Sequence, residues 1–92
     1  MKIIWSDLAK EYYLYIIEQL FEKWNISIVE KFEKDTLTLL QNIAIHNHIC
    51  PQSKIIRYHK CLINKHISLI YRIENHTLEI ITLLFNQSEN FY

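Results

Sequence analysis

The order in which hydrophobic periods change along 92 residues narrows the fold of this chain more than any other feature. Lys2-Ile3-Ile4-Trp5-Ser6 alternates as a short strand does, with period two. Ser6 is then placed to cap a helix, with Asp7 in the first turn, where the helix dipole favours a negative charge. From Leu8 to Trp24, the apolar positions Leu8, Tyr12, Tyr15, Ile16, Leu20 and Trp24 recur at helical spacing and predict one buried stripe. Asn25 and Ile26 interrupt the pattern, and Ser27-Ile28-Val29-Glu30 reads as a capping box that opens a second helix. Its stripe is Val29, Phe32, Thr36, Leu39, Leu40 and Ile43, ending near Ala44. So short a link predicts an antiparallel helical hairpin.

Residues 45–53 lack a clean period and hold the only proline, so they read as the connection from helices to sheet. Ile55 to Ile63, His66 to Ile73 and Leu78 to Phe85 are rich in β-branched and aromatic residues. Asn64-Lys65 and Glu74-Asn75-His76-Thr77 separate them as tight turns, giving an antiparallel meander to which the N-terminal strand adds at one edge. The chain has no glycine, so its turns fall to Asn, Asp, Ser and His. The expected fold is α+β in the order β-α-α-β-β-β, one domain over residues 1–92, with a helical hairpin on a small antiparallel sheet. Asn86 to Tyr92 forms a polar tail whose two aromatics are expected to dock on the body.

Lys plus Arg and Asp plus Glu both number 10, so net charge gives no general attraction to nucleic acid. The charge is nevertheless segregated. Lys54, Arg57, Lys60, Lys65 and Arg72 occur in a stretch without acids, whereas Asp7, Glu11, Glu18, Glu22, Glu30, Glu33 and Asp35 lie earlier. No apolar run approaches the roughly 18 residues of a membrane span, and no signal peptide is visible, so the cytoplasm is expected. Cys50 and Cys61 are then expected as free thiols. His46-x-His48-x-Cys50 and His59-x-Cys61 offer imidazole and thiolate ligands, but the spacing is not that of the common structural zinc sites. No metal or cofactor is expected. Cys–His nucleophilic chemistry is disfavoured too, because neither cysteine follows a turn or helix start that would lower its pKa.

Ile3-Ile4-Trp5-Ser6 with Ala9 resembles the start of ParE-type sequences, where a strand ending in a small hydroxyl residue hands over to the first helix. The run from Lys60 to Ile73 resembles their central hairpin, the run from Leu78 to Asn86 their last strand, and Arg57 an arginine common on the second strand. Together these segments resemble the RelE/ParE superfamily of toxins from bacterial type II toxin–antitoxin systems. The last strand departs from the family pattern: Gln87 stands where an arginine is usual, and the following proline is absent.

The resemblance implies a cognate antitoxin as partner and allows two modes of action. ParE-type members bind and poison DNA gyrase, which requires a surface and no catalytic set. RelE-type members cut mRNA in the ribosomal A site, where the RNA 2′-oxygen attacks the neighbouring phosphate. That cleavage requires a proton acceptor, cations for the developing phosphorane charge and an acid for the leaving oxygen. The leading expectation is a ParE-like gyrase inhibitor. The alternatives are a RelE-like ribosome-dependent endoribonuclease and an inactive toxin-fold protein that binds only its partner. For cleavage the candidates are Arg57, His59 and Arg72, joined by Lys54 and Lys60. His59 is the imidazole among them and shares a strand face with Arg57, while Lys60 points away. Structural roles compete with these: an ion pair of Arg57 with Glu30 or Glu33, or a solvated Arg72.

Overall fold

Ser6 joins the first two elements in the computed structural model, which describes residues 1–87 and 91–92. Its hydroxyl oxygen accepts from the Ala9 N–H at 3.0 Å and its O–H donates to the Ile81 carbonyl at 2.7 Å. The strand β1 (Lys2–Trp5) therefore ends, and the helix α1 (Asp7–Lys23) begins, on a residue fixed to the far end of the chain. Then follow α2 (Ile26–Ile45), β2 (His59–Leu62), β3 (Ile67–Glu74) and β4 (Thr77–Phe85), in the order expected. The strands form one sheet in the order β1-β4-β3-β2. β1 sits at an edge, parallel to β4, while the other pairs are antiparallel, so the meander becomes a mixed sheet.

The helices differ from expectation in phase and in cap. On α1 the buried residues are Ala9, Ile16 and Leu20, with Tyr13 and Ile17 half-buried, while Leu8, Tyr12, Tyr15 and Trp24 are exposed. The small side chain of Ala9 lets the helix approach β4, and this turns the buried stripe away from the larger aromatics. Tyr13 fills the joint between layers, its ring 5.0 Å from Trp5 and 5.4 Å from Phe32. The cap of α2 is Asn25, whose side-chain oxygen accepts from the Ile28 N–H at 3.2 Å, so Ser27 and Glu30 lie inside the helix. The α2 stripe is buried as expected at Val29, Phe32, Thr36, Leu40 and Ile43, and the Thr36 hydroxyl is satisfied by the Phe32 carbonyl at 2.8 Å.

One sheet face meets the helices through Ile67, Leu69 and Tyr71 of β3 and Leu78, Ile80 and Leu83 of β4. A bulge shifts the pairing from Ile70↔Thr82 to Tyr71↔Ile80, leaving Ile81 without a partner on β3. Its carbonyl is the one that Ser6 takes. Asn75 (φ 51°) and His76 (φ 58°) make the two-residue β3–β4 turn in left-handed conformations, a role glycine usually shares. Before β3, the Asn64 side-chain oxygen accepts from the N–H groups of His66 and Ile67 at 2.8 and 3.0 Å.

β2 is much shorter than the run from Ile55 to Ile63 suggested, because residues 53–58 form a turn. The Ser53 hydroxyl accepts from the Ile55 N–H at 2.9 Å, the Tyr58 N–H reaches the Ile55 carbonyl at 3.1 Å, and Arg57 has φ 73°. Local hydroxyl bonding outweighs the β preference of Ile55 and Ile56, and Ile56 is left 76% exposed. The fold-back sets Cys50 beside Cys61, with Cα atoms 5.3 Å apart, and the two are joined as a disulfide. This corrects the expectation of free thiols: residues eleven apart in sequence become neighbours only because the intervening segment returns to β2. At the C-terminus the Tyr92 ring stacks on Tyr58 at 6.3 Å, whereas Phe91 is 84% exposed, so one of the two tail aromatics docks. Of the run Asn86 to Asn90, residues 88–90 lie outside the described residues. No described helix is long and apolar enough to cross a membrane.

Ile16 lies wholly within the core and Leu14 is 62% exposed on the same helix. In urea denaturation, Ile16→Ala should cost about 2–5 kcal/mol. Leu14→Ala should stay within about 0.5 kcal/mol of the parent.

Candidate functional site

Residues 46–58 cross from the end of α2 to β2 and, with β2 and β3, frame a polar corner. His59 and Cys61 share the inner face of β2, and His59 pairs across the ladder with Tyr71. Their rings stack at 5.1 Å and 18°. The Tyr71 side chain is fully buried, and its O–H donates to the Asn47 carbonyl at 2.8 Å. Burial pushes this phenol above its ordinary pKa, with a backbone hydrogen bond from Cys50 acting the other way.

The hydrogen bonds of His59 fix its tautomer. Nδ1 lies 2.9 Å from the Cys50 carbonyl, which only accepts, so Nδ1 carries the proton. In the neutral ring Nε2 is then the acceptor, and it faces Nδ1 of exposed His48 at 3.3 Å. His59 is half-buried with its Nε2 lone pair turned to the solvent-facing ring of His48, so a group that displaces His48 meets a directed proton acceptor. His48 is the neighbour of His59 that sequence reasoning missed. The two His/Cys strings do converge, as an imidazole pair beside a disulfide. Among the described residues no three His, Cys, Asp or Glu side chains gather as a metal site.

The other candidates lie elsewhere. Arg72 follows Tyr71 on β3 and projects from the opposite face of the sheet to His59. Its Nε donates to Glu79 at 2.6 Å and its guanidinium also meets Glu74 at 3.7 Å. The Glu79 hydrogen bond and charge hold Arg72 further above its usual pKa. Arg57 sits on the exposed turn rather than on β2, so it does not share a strand face with His59, and it makes no ion pair with Glu30 or Glu33. Lys60 does point away from His59, on the side of Arg72. Arg57, His59 and Arg72 are therefore not brought to one place.

A groove of about 610 Å³ opens between the helices and the β2–β3 turn. Leu20, Phe32, Ile67 and Phe85 line it, Tyr15, Trp24 and Ile28 flank them, and Lys23, Lys31 and Lys65 stand around it with Asp35. Lys31 is paired with Asp35 at 3.2 Å, leaving a basic balance. The helical period drew Tyr15 and Trp24 into the core stripe; in the fold they wall this groove.

No family model matches the chain, and no curated protein matches it either. Solved structures do. The YoeB dimer from Staphylococcus aureus aligns with TM-score 0.65 and 21% identity over 89% of this chain and 92% of its own. A YoeB–YefM complex from the same organism gives 0.65 and 22% over 90% and 93%. The heterotetrameric YoeB–YefM toxin–antitoxin complex gives 0.63 and 21% over 89% and 92%. The chain has the fold of these YoeB structures. Within that fold, the helical layer carries the groove, and the helix-to-sheet segment carries the His48–His59 corner.

Tyr71 and Tyr13 both have raised phenol pKa values, by burial first and, for Tyr13, by the charge of Glu33. Their contribution to stability is full below the ordinary tyrosine value of about 10, and is lost as pH rises through the higher folded values. A stability profile between neutral pH and pH 11 should therefore fall above about 10, and Tyr71→Phe should flatten part of that fall.

Proposed function

We propose that this chain is the toxin of a type II toxin–antitoxin pair, that it acts in the RelE-like manner on ribosome-bound mRNA, and that a cognate antitoxin silences it. The likeness to YoeB over about nine-tenths of both chains carries this reading, and YoeB is RelE-like. It favours the RelE-like mode over the ParE-like one expected from the sequence. His59 supplies the chemistry: when substrate displaces the exposed His48 ring, the freed Nε2 lone pair accepts the proton of the attacking 2′-hydroxyl. Lys54 and Arg57, on the exposed segment before β2, are the cations available for phosphate, since Lys60 and Arg72 face the other side of the sheet and Arg72 is already engaged by Glu74 and Glu79. The antitoxin follows from the YoeB–YefM complexes, and the apolar groove bordered by Lys23 and Lys65 suits an amphipathic segment bearing acids. Either target puts the protein in the cytoplasm.

The placement of Arg72 favours a second reading. A cation neutralised by two carboxylates, on the far side of the sheet from His59, suits a protein that binds DNA gyrase and cleaves nothing.

Inducing the protein without its antitoxin distinguishes the readings. Growth arrest with cut transcripts is expected, and His59→Ala should reduce cutting by about 10²–10⁴-fold. Arrest with intact transcripts and inhibited supercoiling would establish the gyrase reading instead. Normal growth at high expression would reject both active-toxin readings and leave a fold that only binds its partner.

A further inference from the structure

We propose that the Cys50–Cys61 disulfide is a redox latch: its reduction releases residues 46–58 from the edge of β2 and separates His48 from His59, while the helix-on-sheet core stays folded. Hydrophobic burial does not hold this segment. None of its residues is buried, and Ile49 and Ile56 both stand largely in solvent. Its attachments to the sheet are few and polar. The Lys60 N–H donates to the Pro51 carbonyl at 3.0 Å, Gln52 forms a single bridge with His59, His59 binds the Cys50 carbonyl, and Tyr71 binds the Asn47 carbonyl. The Asn47 side-chain oxygen is buried without a hydrogen-bond partner, and opening would return it to water. The disulfide is the covalent tie in this set, and its short loop is what keeps the weak contacts together.

The core does not depend on that tie. Apart from Cys61, every buried apolar residue of the core belongs to α1, α2, β3 or β4. Cys50 is half-buried and Cys61 is enclosed, so a dithiol reductant reaches Cys50 first. Its thiolate bonds to Cys50 Sγ while the S–S electron pair leaves on Cys61 Sγ, which takes up a proton. The second thiol of the reductant then displaces Cys50, and this sulfur is protonated in turn. The protein ends with two thiols and the reductant with one disulfide. The segment can then leave the outer edge of β2, baring the Lys60 amide and the His59 ring.

Hydrogen exchange on the full chain, oxidised with diamide or reduced with dithiothreitol, tests the latch, with iodoacetamide labelling to count thiols. The oxidised chain should take no label and the reduced chain should take it on both cysteines. On reduction the Lys60 amide should exchange about a hundredfold faster, while the amides of α1 and α2 keep their rates. Cys50→Ser should show the reduced pattern and no response to dithiothreitol. A chain that diamide cannot oxidise, a Lys60 amide indifferent to reduction, or acceleration throughout the helices would each overturn the proposal. Should Cys50→Ser fail to fold, the comparison on the parent chain decides alone.

Discussion

A single serine sets the geometry on which the other elements depend. Ser6 accepts from Ala9 to start α1, donates to the carbonyl that the β4 bulge leaves open at Ile81, and sends its own N–H to Ile80 at 3.0 Å. First strand, first helix and last strand are thereby locked at one point, joining positions 75 residues apart. A serine cap alone contributes about 1 kcal/mol. Coupling it to the bulge places Ala9 against the sheet, and that contact determines which side of α1 is buried. The exposed aromatics Tyr15 and Trp24, and with them the groove, follow from this phase.

The opposite end of the molecule is organised differently. Hydrogen bonds and one covalent link, rather than packing, attach residues 46–58 to β2. The chemistry-bearing residues gather there: the imidazole pair, a buried phenol and the disulfide. A rigid two-layer body therefore carries a lightly held segment, the usual division between scaffold and site. The disulfide also bears on the functional reading. A protein acting on ribosomes or gyrase works where thiols are kept reduced, and a disulfide there is of the regulatory rather than the structural kind.

Much of the fold was legible in the sequence because it is written in local signals. The change from period two to period 3.6 and back gave the element order, Ser6 the first cap, and the pattern from Val29 to Ile43 the buried face of α2. Failures occurred where a local rule competed with another. The stripe on α1 was misphased because large aromatics outweighed one alanine in the period, and Ser53 turned Ile55 and Ile56 out of a strand that their β-branching favoured. The site was less legible. His59 could be singled out, but its partners His48 and Tyr71 and the Cys50–Cys61 pair are created by the fold-back of residues 46–58, which leaves no period to read. Arg72 shared a basic stretch with His59 in sequence and not a face in space.

We propose that this fold, with its base at His59, cleaves mRNA on the ribosome. Purified protein added to ribosomes halted with a defined codon in the A site tests it most directly, by mapping the 3′ ends of the message. The account predicts new ends within the A-site codon, absent without ribosomes and strongly reduced in His59→Ala. Intact message at stoichiometric protein, with the same preparation active in arresting growth, would contradict it.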